Sequence, residues 1–293
     1  TKTVSITPDY SEVAKLTDHW LHPKQGTDAA LAFAFGHVIL REFHLDNPSE
    51  YFTDYCRQYS DMPMLVCLDP REDGSFVTSR YLRASDLDGA LGEANNPEWK
   101  TLAIDENSGG LVVPHGSVGF RWGEKGRWNI EERDSQGRDT RLLLSLKDGH
   151  DGFVNVCFPY FGGVEHEGWT SSPREDILKR HIPTRKITQA DGSEVLVASV
   201  YDLLLAQYGL DRGFGGDHVA SSFDEDVPGT PAWQERITGV PRAEVIEIAR
   251  EFARTADKTR GRSMIIVGAA MNHWYHNDMN YRGLINMLVM CGC

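Results

Sequence analysis

"DHWLHPKQGTDAALAFAFGHVILREF", residues 18–43, is the stretch on which the fold reading turns. From Asp28 to Phe43 apolar side chains cover nearly every side of a helical wheel, so the predicted helix is buried all round rather than amphipathic. Thr27 and Asp28 stand where an N-cap belongs. His37, inside the helix, reads as a core histidine with its hydrogen bonds satisfied. Working outward, residues 1–10 alternate like a short strand ending at Pro8, and "SEVAKL" begins a helical turn capped by Ser11. Downstream, a second helix is predicted over Ser49–Tyr59. "MPMLVCLD", bounded by Pro63 and Pro70, then reads as a buried strand. Strand, helix, helix, strand is the grammar of an α/β layer.

The character changes between Thr101 and Val200. Glycine punctuation, aromatic residues and short alternating stretches predict β-hairpins inserted into the α/β framework. The last hundred residues return to α/β grammar. Pro241 suits the first turn of "PRAEVIEIAREFAR", in which Val245, Ile248, Ala249 and Phe252 make one apolar stripe. "SMIIVG" then predicts a strand closing on Gly268, followed by "AAMNHWYHNDMNYRG" and a helix from about Asp278. Strand, glycine, polar loop and helix resemble the ligand-facing edge of a parallel sheet.

A net charge of −13 over 293 residues disfavours a nucleic-acid face, which needs clustered cations, and direct docking on anionic lipid. No apolar run is long enough to span a bilayer, and no signal peptide opens the sequence, so the chain is expected to be soluble by itself. Five cysteines (Cys56, Cys67, Cys157, Cys291, Cys293), odd in number and scattered, favour a reducing compartment over a disulfide framework. The strand-like start and the apolar "LINMLVMCGC" at the end suggest an internal piece of a longer chain.

Two stretches could carry chemistry. In "KQGTDAA", residues 24–30, Gly26 lets backbone approach a ligand, helix-start amides attract phosphate, and the Asp28 carboxylate can accept two hydrogen bonds from a guanine edge. Alternatively, Thr27 or Asp28 only caps the helix. In residues 267–283, His273 and His276 are spaced for one helix face, but the third and fourth ligands that zinc needs are not evident. A second reading packs His273, Trp274 and Tyr275 beneath the sheet. A third has Asn272, His273 and Arg282 lining a pocket for a large polar cofactor. Asp224, Asp226, Gly229 and Glu235 have calcium-loop offsets, but Pro228 and Ala232 occupy liganding positions. GxSxG, P-loop and GxGxxG motifs are all missing.

"WLHPKQGTDAALAFAFGHVILREFHLDNPSEYFTDYCRQYSDMPMLV", "NNPEWK", "GFRWGEKGRWN", "FPYFGG" and "GRSMIIVGAAMNHWYHNDMNYRGLINMLVMCGC" resemble the alpha subunits of membrane-associated respiratory nitrate reductases. These are molybdopterin oxidoreductases related to dimethyl sulfoxide reductase. The resemblance runs over essentially the whole chain. It implies an α/β fold with parts of two Rossmann-like lobes, residues 1–100 and 200–293, around a β-rich insertion at 101–199. Each lobe would hold one molybdopterin guanine dinucleotide of the Mo-bis(molybdopterin guanine dinucleotide) cofactor. Gly26, Thr27 and Asp28 would serve the first lobe, and Gly268 through Arg282 the second. His273 would lie near molybdenum without ligating it, and with Asn272 would donate to nitrate or cofactor at short range. The family's [4Fe-4S] ligands and molybdenum-ligating aspartate belong upstream of Thr1. Cys56, Cys67 and Cys157 lack the spacing to replace them. The implied partners are an iron–sulfur beta subunit and a membrane gamma subunit, on the cytoplasmic face of the cell membrane. The implied reaction is nitrate to nitrite in anaerobic respiration. Alternatives are a nitrite oxidoreductase, another oxyanion reductase, or a pterin-binding module without turnover.

Overall fold

The computed structural model describes residues 2–10, 12–91, 97–115, 132–134, 136–159, 177–274 and 277–293. Its elements in order are β1 (Val4–Ile6), β2 (His19–Leu21), α1 (Asp28–Leu40), α2 (Glu50–Tyr59), β3 (Leu65–Pro70) and β4 (Phe76–Tyr81). There follow β5 (Ala103–Ile104), β6 (Leu111–Val112), β7 (Gly152–Pro159), β8 (Ile177–Thr188) and β9 (Glu194–Ser199). Four helices complete the fold: α3 (Val200–Gln207), α4 (Pro231–Thr238), α5 (Arg242–Thr259) and α6 (Asn277–Met290). The chain is therefore α/β in content, as expected. Among the described residues no helix is long and apolar enough to cross a membrane.

The helix at Asp28 forms where its all-round apolarity predicts. It is buried continuously from Ala34 to Leu40, with α4, α5 and α6 packed around it. Gly36 is required by packing, because a Cβ there would meet the Tyr208 ring at 2.4 Å. Where α1 ends, a π-helical turn, Arg41–Asp46, carries the chain on and turns His44 inward. α2 starts as predicted, with the Ser49 hydroxyl accepting from Phe52 N at 3.3 Å. Side chains from Leu21 to Met62 and from Tyr201 to Cys291 share one core.

"MPMLVCLD" does become a strand, but in a different setting from the α/β layer its pattern suggested. β3 pairs antiparallel with β4 and β9, and β3-β4-β7-β8-β9 close into a barrel. Leu65 and Cys67 face one hydrophobic cluster and Val66 and Leu68 another, so both faces are buried and the usual alternation is erased. A closed ring of five strands cannot be antiparallel throughout. The one parallel contact, β4 to β7 through Phe76 and Val156, is joined by the long connection that parallel neighbours need. The predicted hairpins appear as the antiparallel pairs β5/β6, β7/β8 and β8/β9. Among the described residues the parallel sheet amounts to β1 beside β2.

"SMIIVG" forms no strand, contrary to expectation. Ile265 packs on the helical core while Met264 and Ile266 are 75% and 83% exposed, and no neighbouring strand among the described residues offers a ladder for its amides.

The largest buried polar side chains are matched, while Ser5 Oγ, Thr140 Oγ1, Trp233 Nε1 and Asn280 Nδ2 find no partner among the described residues. Arg180, 2% exposed, has no carboxylate partner among the described residues. Its guanidinium instead donates to the carbonyls of Ala206, Gln207 (3.1 Å), Asp217 (3.0 Å) and His218 (2.9 Å), tying the end of α3 to β8. Burial pushes it down to about 10. His37 bonds Tyr208 O at 2.8 Å, the satisfied core role read from sequence. Desolvation pushes His37 and His44 down to about 4 each. Between that value and the unfolded value of about 6.5 the unfolded chain binds protons that the folded chain refuses. Stability is thus complete above the unfolded value and falls with pH through this window, by up to ~1.4 kcal/mol per pH unit for each histidine. Carboxylates such as Asp105 and Asp134, held below the usual range, lose their support only at lower pH. Urea midpoints of the intact protein should fall from pH 7 to pH 5; a flat profile would contradict the assignment.

Candidate cofactor crevice

β2 delivers the chain into the loop 22–27, where Gly26 takes φ +75°, a left-handed conformation that favours glycine. Thr27 occupies the cap position of α1, but its hydroxyl donates back to Lys24 O at 2.6 Å and caps nothing. The capping reading of Thr27 is corrected: the residue braces the glycine turn and makes no bond to the first amides of α1, where Asp28's carboxylate draws on its own N–H. Asp28 is half-buried and makes no ion pair among the described residues. Burial holds its carboxyl above the usual carboxylate range, against the pull of its own main-chain amide.

The second stretch lies beside the first. A Cβ on Gly26 would sit 3.8 Å from the Trp274 ring, so the two loops are in contact range. α1 and α6 run side by side in the same direction. A Cβ on Gly283 would meet Ala32 Cβ at 2.8 Å, Asn286 reaches the Tyr208 hydroxyl beside Gly36, and His44, just beyond α1, holds Met290 O at 2.9 Å. Both helix starts therefore point to the end where Gly26 and Trp274 meet, and their dipoles add there in favour of negative charge.

The individual candidates differ. Gly268 is extended at φ −84°, and a Cβ on it would meet nothing within 4 Å, so the fold itself does not demand glycine there. Ala269–His273 form a single 3-10 turn. The Asn272 carbonyl accepts from Asn277 Nδ2 at 3.0 Å, and its side-chain oxygen accepts from the Tyr281 hydroxyl, leaving the side-chain NH2 as the group able to donate. His273 is exposed, and its ring makes no hydrogen bond among the described residues. Arg282 is exposed in the second turn of α6 with no ion pair among those residues. Sequence reading passed over two contributors, Trp274 as a wall against Gly26 and Tyr281 as the anchor of Asn272. A tryptophan among polar residues was the available signal for the first; the second depends on the helix turning back over its own loop.

Other candidates resolve differently. His276, Tyr275, "GFRWGEKGRWN" and parts of "NNPEWK" and "FPYFGG" lie outside the described residues. The calcium-loop carboxylates are taken by ion pairs, Asp224 and Glu235 with Arg242 and Asp226 with Arg236. The five cysteines are free thiols. Among the described residues no group of three or more His, Cys, Asp or Glu could hold a metal ion. The crevice thus has features for an anionic, donor-rich ligand.

The family model described as "Molybdopterin oxidoreductase" matches residues 1–293. The chain is 61% identical to the respiratory nitrate reductase 2 alpha chain of Escherichia coli (strain K12), covering 100% of itself and 23% of that protein. It is 40% identical to the nitrate reductase alpha chain of Bacillus subtilis (strain 168), covering 99% of itself and 23% of that protein. It is 27% identical to the perchlorate reductase subunit alpha of Dechloromonas aromatica (strain RCB), covering 100% of itself and 24% of that protein. The chain spans about a quarter of the length of the curated relatives it matches.

Proposed function

The chain belongs to the molybdopterin oxidoreductases, and from that premise we propose that it builds part of the cofactor crevice of a nitrate reductase alpha chain. The observation that supports this most is the meeting of two ligand-ready loops at the shared end of α1 and α6. There the half-buried Asp28 carboxylate, which makes no ion pair among the described residues, stands at the start of α1, beside a site favourable to anions. The family's cofactor is a molybdopterin; we take its form here to be the guanine dinucleotide, with a [4Fe-4S] cluster elsewhere in the protein. The two cofactor-binding segments, 1–100 and 200–293, form two sides of this crevice.

The residues fit the nucleotide end of such a group. Gly26, whose Cβ would lean toward Trp274, leaves room for close approach; Asp28 accepts from guanine N–H groups; helix-start amides and Arg282 take phosphate. When bound, the molybdopterin centre supplies two-electron oxygen-atom chemistry, so that nitrate, two electrons and two protons give nitrite and water. This chain's own contribution is positioning. The net charge of −13 repels nitrate at long range, so binding depends on short-range donors, His273 and the Asn272 side-chain amide. Electrons would arrive through an iron–sulfur beta subunit from a membrane gamma subunit, with the alpha chain on the cytoplasmic face of the membrane.

The test uses the intact protein carrying this chain, assayed with nitrate, chlorate and nitrite. Nitrate turnover is expected; its absence in protein loaded with molybdenum and nucleotide would overturn the reading. His273→Ala should lower kcat about 10–100-fold, the worth of one hydrogen bond to a charged group, with cofactor content unchanged. Parental nitrate kinetics would remove His273 from the site. A second reading, another oxyanion as substrate, draws on the match of this chain to about a quarter of the perchlorate reductase subunit, and the chlorate arm addresses it.

A further inference from the structure

Away from the crevice, the π-helical turn places His44, 4% exposed, against Tyr201, 5% exposed. His44 Nε2 lies 2.9 Å from Met290 O, which can only accept, so Nε2 carries the proton. The buried ring is neutral at ordinary pH, pushed down to about 4, and Nδ1 therefore accepts from the Tyr201 hydroxyl at 3.2 Å. This is a phenol hydrogen-bonded to a neutral base and sealed from water. Burial also pushes the phenol up, so Tyr201 is held as the neutral phenol, with His44 Nδ1 in place to take its proton.

From this pair a file of rings leads outward. Ring centres are 5.9 Å apart for Tyr201 and His44, 6.0 Å for His44 and Phe52, and 6.0 Å for Phe52 and Tyr51. Along α2 they are 6.4 Å apart for Tyr51 and Tyr55 and 5.0 Å for Tyr55 and Tyr59, and Tyr59 is 49% exposed. The spacing of four along α2 stacks these tyrosines on one face.

We propose that Tyr201 and His44 form a redox-active pair that holds a one-electron oxidising equivalent and exchanges it with the surface through Phe52, Tyr51, Tyr55 and Tyr59. The oxidant is a high-potential one-electron acceptor of the peroxide-derived class. Acting at Tyr59 on the surface, it draws one electron from Tyr201 through the ring file while the phenolic O–H bond of Tyr201 breaks and its proton passes to His44 Nδ1, leaving a neutral phenoxyl beside an imidazolium. Recovery is the reverse. Tyr59 gives up an electron and loses its proton to water, Tyr201 regains its proton from His44, and a thiol in solution donates a hydrogen atom to Tyr59. The pair thereby moves an oxidising equivalent from the core to a place where a soluble reductant consumes it. This does not depend on the substrate assigned above.

The test illuminates the intact holoprotein with tris(bipyridyl)ruthenium and persulfate and follows the tyrosyl radical by electron paramagnetic resonance. In the parent a persistent radical is expected, and Tyr201→Phe should shorten its lifetime at least about ten-fold, the scale of one lost hydrogen-bonded site. Tyr59→Phe should slow its appearance while leaving its final spectrum unchanged. Difluorotyrosine at position 201 checks the site without disturbing packing, because fluorine splitting should appear in the persistent signal. Parental yield and lifetime in Tyr201→Phe, or no fluorine splitting, would overturn the proposal.

Discussion

Asp202→Ala is expected to cost about 3–5 kcal/mol of stability, the range for removing one partner of a buried ion pair. Asp202 is fully buried in the first turn of α3, where it accepts from Ser199 Oγ at 2.9 Å, Ser145 Oγ at 2.7 Å and Leu146 N at 2.8 Å. It also pairs with Arg212 at 2.7 Å, whose side chain is 8% exposed. Alanine leaves the guanidinium buried without a counterion and strips acceptors from two hydroxyls and an amide, a penalty larger than the net worth of the bonds themselves. Urea unfolding of the intact protein checks this, with Ser145→Ala as a control expected to lose about 1 kcal/mol. A loss below about 1 kcal/mol for Asp202→Ala would show that the network relaxes. Combining Asp202→Ala with Arg212→Met should recover part of the loss, because the orphaned charge goes with it.

The second large effect concerns binding. Asp28→Ala in the intact protein is expected to reduce retained guanine nucleotide about 10–100-fold per hydrogen bond lost to the carboxylate, with little change in melting temperature. The small stability change follows from the structure: Asp28 is half-buried, has no ion pair among the described residues and makes no cap to a neighbouring amide, so the folded state gains little from it. Nucleotide released by acid and measured against protein, alongside a thermal melt, separates the outcomes. Equal nucleotide content with a lowered melting temperature would return Asp28 to a purely structural role.

Legibility in the sequence followed how local the physics was. α1 was predictable because its burial is written in consecutive residues. The start of α2 was predictable because Ser49 caps an amide three residues on. The His37 role was also legible, since a lone histidine among apolar residues has to find a backbone partner. The same local logic failed for Thr27, whose hydroxyl chose the carbonyl three residues back over the helix amides. It failed again for residues 263–268, which have a strand's composition but no ladder among the described residues. The candidate crevice was half legible: Gly26, Asp28 and His273 could each be singled out, yet nothing in their spacing says that residues nearly 250 positions apart adjoin.

What the sequence determined by itself is therefore α1, α2, α5 and the approximate start of α6, together with the chemistry available at each loop, because hydrophobic period acts within a few residues; α3, α4 and the role of Thr27 were not legible there. Tertiary structure alone decided that β3 closes a five-stranded barrel instead of joining a parallel sheet, since a strand buried on both faces shows no alternation from which to infer its partners. It also decided that α1 and α6 lie parallel. Gly283 against Ala32 and Gly36 against Tyr208 permit that close approach, and the approach brings two distant helix starts and their loops to one crevice.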